Sequence, residues 1–196
     1  MRVIDILNND EWIKKYDFYE GFMESTYYDK LVEAYEKLNY DILFVSDIHG
    51  RDHIERVIFY TSLLAYAYKL DDDDTYVLIN AASLHDTQRQ NDGWDTEHGQ
   101  RAAEMSIPYA HDLKESDLAI LKAVIAAHSR EDDIMDETLR EFVEECDFDR
   151  AKKLSKYFKD ADGLDRVRIN HLDPAYLRNE FSKGLVDFAY EFYDKF

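Results

Sequence analysis

Two apolar, alanine-rich segments of the chain each end in a histidine. The first is AASLHD at positions 81–86, and the second is AAH at positions 126–128. Alanine has the highest helix propensity, and apolar runs of this kind are typical of helices that bury most of their surface. A buried helix that ends in an imidazole delivers a metal-binding nitrogen to the protein interior. These segments therefore predict a helical core with ligand groups at its helix ends.

The first segment ends in two ligand types, because His85 is followed directly by Asp86. Adjacent residues are about 100° apart around a helix axis, so both side chains can reach one ion only near the helix end. At that end Asp86 is also free to turn towards a second ion. The structural alternative is a core histidine beside an aspartate that caps a helix.

The rest of the chain lacks the features of a β-protein. It has six glycines and two prolines in 196 residues, and no alternating series of Val, Ile and Thr. Hydrophobic residues make up 45% of the sequence, which is enough for one substantial core. We therefore predict an all-α fold and a single domain over residues 1–196, with the amphipathic helices of residues 1–45 forming a cap.

The formal net charge of −19 argues against a nucleic-acid-binding protein, because neutralising phosphates supplies much of the affinity for DNA and RNA. Small anions are not excluded, since a bound cation can reverse the potential locally. The single cysteine, Cys146, excludes an internal disulfide. We find neither a cationic leader nor an apolar segment of membrane length, so we expect a soluble cytoplasmic protein without membrane contact.

Two further histidines lie at the start of a predicted helix. His53 is one position from an apolar stripe that begins at Ile54, and His49 precedes it by four residues. Two histidines at this spacing share a helix face, but Gly50 between them disfavours a continuous helix. We interpret His53 as a metal ligand and His49 as a residue that supports the ligands or contacts substrate. An ordinary core histidine is the alternative for His53.

The polar loop after Asp86 leads into another short helix. Asp95 or Thr96 is the predicted cap of this helix, which places His98 in its first turn. Arg89, within the loop, is the first candidate for binding a phosphate group, and a solvated surface arginine is the alternative. Upstream, the acidic run 71–74 predicts a solvated loop whose last aspartate caps a helix over residues 75–86.

A second acidic segment, residues 159–168, contains three aspartates. Asp162 and Asp165 share one face of a predicted helix, while Asp160 points elsewhere. A carboxylate held beside core residues is costly unless it is paired or bound to a metal. The alternative is a surface helix whose carboxylates pair with Arg166 and Arg168.

The order of these elements resembles the HD-domain superfamily of metal-dependent phosphohydrolases. The resemblance covers residues 46–170 and is carried by His53, His85-Asp86 and Asp162. Matching context is provided by His49-Gly50, Arg56-Val57 and the segment 160–165. It implies an all-helical HD-domain core with N-terminal and C-terminal helical additions. The C-terminal addition, residues 171–196, is expected to pack on the core.

The resemblance also implies a divalent metal centre. The implied ligands are His53, His85, Asp86, His98, His128 and Asp162. His98 and His128 match the extra histidines of subfamilies that hold two metals, with Asp86 between the ions. Imidazole and carboxylate donors suit Fe, Mn, Co, Ni or Zn better than Mg, but the sequence identifies neither the metal nor the number of ions.

Such a centre implies hydrolysis of a small phosphate ester or anhydride by metal-activated water, with His85 and Asp86 as catalytic residues. The predicted substrate-binding residues are Arg89, His49, Arg51 and Arg130. Two alternatives stay open. A di-iron oxygenase, similar to the inositol oxygenase branch of the superfamily, would use the same ligands, and a non-catalytic sensor or scaffold would keep the metal for structure.

Overall fold

The computed structural model describes residues 2–196, and this part of the chain contains helices but no β-strand. The predicted all-α fold is confirmed. The α-helices are α1 (Arg2–Asn9), α2 (Tyr19–Met23), α3 (Thr26–Lys37), α4 (Arg51–Ala67), α5 (Asp72–Leu84), α6 (His98–Met105), α7 (Leu118–His128), α8 (Met135–Arg140), α9 (Glu145–Leu164), α10 (Glu180–Gly184) and α11 (Val186–Lys195). Short 3₁₀-helices lie at Glu11–Lys15, Tyr40–Ile42, Ile107–Tyr109, Glu115–Asp117, Asp165–Ile169 and Pro174–Tyr176.

Helices α4, α5, α7 and α9 form the centre of the fold. Both α4 and α7 pack against α5 and α9, and α6 lies against α7. Helix α4 is buried from His53 to Ala65, including its charged residues Glu55 and Arg56. The start of α4 and the ends of α5, α7 and α9 meet at one end of this core, where their histidines and aspartates come into contact.

The start of α5 differs from the sequence prediction. Asp71 is the capping residue, and its Oδ1 accepts a hydrogen bond of 2.8 Å from the backbone N–H of Asp74. Because the first of the four aspartates satisfies this N–H, the helix begins at Asp72, and the prediction that Asp74 caps it is wrong. Asp74 is instead buried and pairs with Arg150 and Lys153 of α9.

Gly50 separates His49 from the helix that carries His53. It is the N-cap residue of α4 and has an extended backbone conformation. A Cβ atom at this position would lie 2.1 Å from the backbone oxygen of Ser46, so a larger residue requires the preceding turn to move. His49 therefore lies in the turn before α4 and not on the helix, as the glycine predicted.

The two terminal parts of the chain cover α4. The Tyr35 hydroxyl of α3 donates a hydrogen bond of 2.6 Å to the backbone oxygen of Glu55. From the other side, Phe188 and Phe192 of α11 pack their rings against Phe59 of α4. One buried apolar cluster thus includes residues from the N-terminal helices, the central helices and the C-terminal helix.

We expect Phe59→Ala to lower the free energy of unfolding by about 3–5 kcal/mol, because it removes a fully buried ring and leaves a cavity. Urea denaturation followed by circular dichroism measures the change. Tyr190→Ala is the control, since this partly exposed ring should contribute no more than about 0.5 kcal/mol. A loss below about 1 kcal/mol for Phe59→Ala would contradict the packing of α11 on this ring.

Candidate metal centre

Each predicted ligand lies at or next to a helix end. The positions are His53 in the first turn of α4, His85 and Asp86 directly after α5, His98 at the start of α6, His128 at the end of α7 and Asp162 in the last turn of α9. All are deeply buried except Asp162, whose side chain is 24% exposed. The centre therefore lies inside the protein and opens towards solvent on the side of Asp162.

The first group of ligand atoms consists of His53, His85 and Asp86, which are close enough to hold one metal ion. The Nε2 atoms of His53 and His85 are 3.1 Å apart. Asp86 Oδ2 lies 3.4 Å from the first of these nitrogens and 3.5 Å from the second. Asp162 Oδ1 approaches the same group, at 3.4 Å from His53 Nε2.

The second group consists of Asp86, His98 and His128 and could also hold an ion. The Nε2 atoms of the two histidines are 2.8 Å apart. Asp86 Oδ1 lies 3.0 Å from His98 Nε2 and 3.8 Å from His128 Nε2. The two oxygens of Asp86 therefore face different histidine pairs, which is the arrangement of a carboxylate that bridges two ions.

Three of the four histidines are oriented by the same local contact. The Nδ1 of His85, of His98 and of His128 lies within hydrogen-bond distance of the backbone oxygen three residues earlier. A carbonyl oxygen only accepts, so each ring carries its proton on Nδ1. The lone pair of each Nε2 then points into the centre, as in a metal-binding histidine.

His53 reaches the same state through a different partner. Its Nδ1 donates to Asp165 Oδ2 over 2.7 Å, and Asp165 also accepts two hydrogen bonds from Arg56. Asp165 is fully buried, and its carboxylate fixes the ring from behind. In the sequence, Asp165 shares a helix face with Asp162 and Arg56 belongs to the context that resembles the family, but neither residue had a predicted role. The available signals were this context and the three-residue spacing from Asp162.

Four unprotonated ring nitrogens therefore converge with two carboxylates. Nitrogen lone pairs at 2.8 and 3.1 Å repel one another unless a proton or a cation lies between them. The donor set of imidazoles and carboxylates fits Fe, Mn, Co, Ni or Zn. The five buried residues of the two groups could thus hold divalent ions, in agreement with the metal centre that the sequence predicted.

The protonation states of the centre also suit a divalent ion. Burial lowers the pKa of His85 to about 3 and lowers the pKa of His128 below its ordinary value. Burial by itself raises the pKa of Asp86, but the surrounding imidazoles, His85 foremost, hold it well below the ordinary value. The pKa of Asp162 is likewise lowered, because His53 and His85 outweigh the effect of burial. Neutral imidazoles and ionised carboxylates are the forms that bind metals.

Gly99 allows α6 to approach α7 closely enough for the second group to form. A Cβ atom at this position would lie 2.7 Å from the backbone oxygen of Ile125 and 3.0 Å from the ring of His128. The prediction that Asp95 or Thr96 caps α6 is wrong, because the N-cap residue is Glu97 and no side chain caps the helix. Asp95 Oδ1 instead accepts a hydrogen bond from the Glu97 backbone N–H in the turn before α6.

Two of the predicted substrate-binding residues lie against the centre. Arg89 Nε donates a hydrogen bond of 2.8 Å to Asp86 Oδ1, so this arginine already neutralises a ligand. His49 is buried, with its ring in a T-shaped contact with His53. Its Nδ1 lies 2.8 Å from Asp92 Oδ1, which holds the ring in place.

The other two predicted substrate-binding residues are paired with glutamates. Arg51 Nε donates to Glu55, and its guanidinium lies over the ring of Tyr40. Arg130 donates two hydrogen bonds to Glu97, the residue before His98. Neither arginine has a described contact with a ligand residue of the centre.

No model of a known protein family, no curated protein and no solved structure matches the chain. The resemblance to the HD-domain superfamily therefore stays a prediction that rests on the motif residues. Among residues 2–196, no helix combines the length and the apolar character that a membrane crossing needs.

We expect protein purified without chelator to hold about two divalent ions per chain, and His128→Ala to lose about one of them, because Asp86 faces two histidine pairs. Elemental analysis of desalted protein measures the content. His171→Ala, which removes an exposed histidine, should keep both ions. One ion per chain in the wild type and in His128→Ala, after supplementation with metal, would contradict the two-ion site.

A separate prediction concerns the carboxylate behind His53. We expect Asp165→Asn to weaken metal binding by about 10- to 100-fold, because a neutral amide oxygen is a weaker acceptor than the carboxylate and polarises the His53 ring less. Competition with a chromophoric chelator measures the affinity, and Asp187→Asn, at an exposed position of α11, is the control. Unchanged affinity in a folded Asp165→Asn protein would show that His53 does not need this partner.

Proposed function

We propose that the protein is a metal-dependent phosphohydrolase that acts on a small phosphate ester or anhydride. The observation that carries the proposal is the bridging position of Asp86 between two pairs of inward-facing imidazole nitrogens. Divalent ions bound there supply Lewis acidity and lower the pKa of coordinated water. Hydrolysis at such a centre requires no serine or cysteine nucleophile.

The residues of the chain have distinct roles in this proposal. Asp86 holds the two halves of the centre together, and His85 fixes one half with its buried ring. Arg89 offsets the charge of Asp86 through its hydrogen bond. His49, oriented by Asp92, is placed at the side of His53 for contact with a substrate oxygen.

An open groove next to the centre provides space for the organic part of a substrate. Its volume is about 530 Å³. The lining residues are Tyr40, Leu43, Phe44, Val45, Ser46, Asp47, Arg51 and Asp92. Ser46 donates a hydrogen bond to Asp92, which in turn holds His49, so the wall of the groove is connected to the centre through the contact of His49 with His53. Arg51 would contact substrate from this groove.

The experiment is a phosphate-release screen over a panel of small phosphate esters and anhydrides, with Mn, Fe, Co, Ni, Zn and Mg each added to metal-free protein. We expect turnover of at least one member of the panel that depends on the added metal. Asp86→Ala should lower kcat/KM by more than roughly 100-fold, because it removes a ligand of both ions. Loss of a residue that only hydrogen-bonds to a metal ligand costs up to about 100-fold. Asp187→Ala is the matched control.

Two other outcomes would contradict the proposal when oxygen consumption and metal content are measured beside phosphate release. Metal-dependent oxygen consumption without phosphate release would indicate a di-iron oxygenase. Retention of metal without either reaction would indicate a sensor or scaffold. In each case circular dichroism of Asp86→Ala should show unchanged helical content, because the apolar faces of the helices hold the fold.

A further inference from the structure

Arg168 lies beside the open side of the metal centre. It belongs to the 3₁₀-helix Asp165–Ile169, directly after the helix that carries Asp162. Its Nε donates a hydrogen bond of 2.9 Å to the backbone oxygen of Ile48, the residue before His49. The guanidinium is thereby fixed between the turn that carries His49 and the helix end that carries Asp162.

The terminal nitrogens of this guanidinium make no hydrogen bond within residues 2–196. Nη1 is buried and lies 3.6 Å from Asp165 Oδ2, which is too far for a hydrogen bond. Asp165 cannot compensate fully, because its oxygens already accept hydrogen bonds from His53 and Arg56. The Arg168 side chain is only 6% exposed, so water does little to solvate its charge.

The other arginines near the centre are committed to carboxylates. Arg89 is bonded to Asp86, Arg56 to Asp165 and Arg130 to Glu97. A fixed guanidinium with free donors on both terminal nitrogens differs from these, because it can form a forked contact with an anionic group. Of these four arginines, Arg168 is the one with neither terminal nitrogen hydrogen-bonded to the described chain and without a carboxylate at hydrogen-bond distance.

The location of Arg168 also fits a ligand of the metal centre. Among the predicted ligand residues, Asp162 has the most exposed side chain, so an incoming molecule approaches on its side. Arg168 and Arg89 both lie near His49, whose ring contacts His53. Two guanidinium groups are thus placed around the opening of the centre.

We propose that Arg168 binds an oxyanion of the substrate, namely phosphoryl oxygens that the metal ions do not hold. The identity of the ligand rests on the proposed function, but binding can be measured without turnover. Inorganic phosphate is the probe, titrated calorimetrically into zinc-loaded protein at constant ionic strength. We expect Arg168→Gln to weaken phosphate binding at least about 10-fold, because it removes charged hydrogen bonds in a buried place.

Arg166→Gln is the matched control, because Arg166 lies two residues away in the same 3₁₀-helix and is exposed. It should bind phosphate within about 2-fold of the wild type, since its Nε bonds only to the backbone oxygen of His171. Metal content should be equal in all proteins, which separates loss of phosphate contact from loss of the centre. Equal phosphate affinity in wild type and zinc-loaded Arg168→Gln would overturn the proposal.

If Arg168→Gln does not fold, the wild type itself supplies the test. Nitrogen-15 NMR of arginine-labelled, zinc-loaded protein should show the Arg168 guanidinium signals shifting with added phosphate while those of Arg166 stay constant. Unshifted Arg168 signals at phosphate saturation, or no phosphate binding by the wild type, would overturn the assignment. If phosphate binds through Arg168 but no ester is hydrolysed, only the proposed function is contradicted. If Arg168→Gln changes neither hydrolysis nor phosphate affinity, only this inference is contradicted.

Discussion

The convergence of four imidazole nitrogens is the constraint on which the rest of the centre depends. The carboxylates alone do not demand a metal, because Arg89 pairs with Asp86 and the Asp162 side chain is partly exposed to water. The nitrogens differ, since every Nδ1 is used as a donor and every Nε2 is left as an acceptor facing another acceptor. An arginine placed further out cannot relieve this arrangement. A cation between the nitrogens can relieve it. The facing nitrogens therefore indicate metal ions more strongly than the negative charge of the carboxylates does.

The fold produces this convergence by repeating one local device at helix ends. His85, His98 and His128 each place Nδ1 near the backbone oxygen three residues earlier, so each ring is oriented by its own segment of chain. His53 does not use this device; the Gly50 oxygen three residues before it accepts the Ile54 backbone N–H of α4 instead. Its orienting group must come from elsewhere in the chain, and Asp165 supplies it from the end of α9. Three rings are thus fixed locally and one by tertiary contact.

The same distinction explains what could be predicted from the sequence. Helix content and the histidines at helix ends depend on local patterns, and those predictions agree with the structure. The contacts of Asp165 with His53 and Arg56 join positions more than 100 residues apart, so spacing along the chain could not indicate them. Local spacing could have predicted one further contact, because Arg51 and Glu55 are four residues apart on a helix and form an ion pair. The α5 cap was misassigned because a run of aspartates offers several candidates.

A strongly acidic chain can still bind a phosphorylated ligand at such a site. The net charge of −19 is spread over an exposed surface, where salt screens interactions beyond about 8–10 Å. Within the buried opening of the centre, screening is weaker and the nearest groups dominate. Those groups are Arg89 and Arg168, the carboxylates of Asp86 and Asp162, and the cations that the imidazoles hold. A long nucleic acid must contact the acidic surface over many phosphates and is therefore repelled strongly. A small anion that enters the opening is repelled much less.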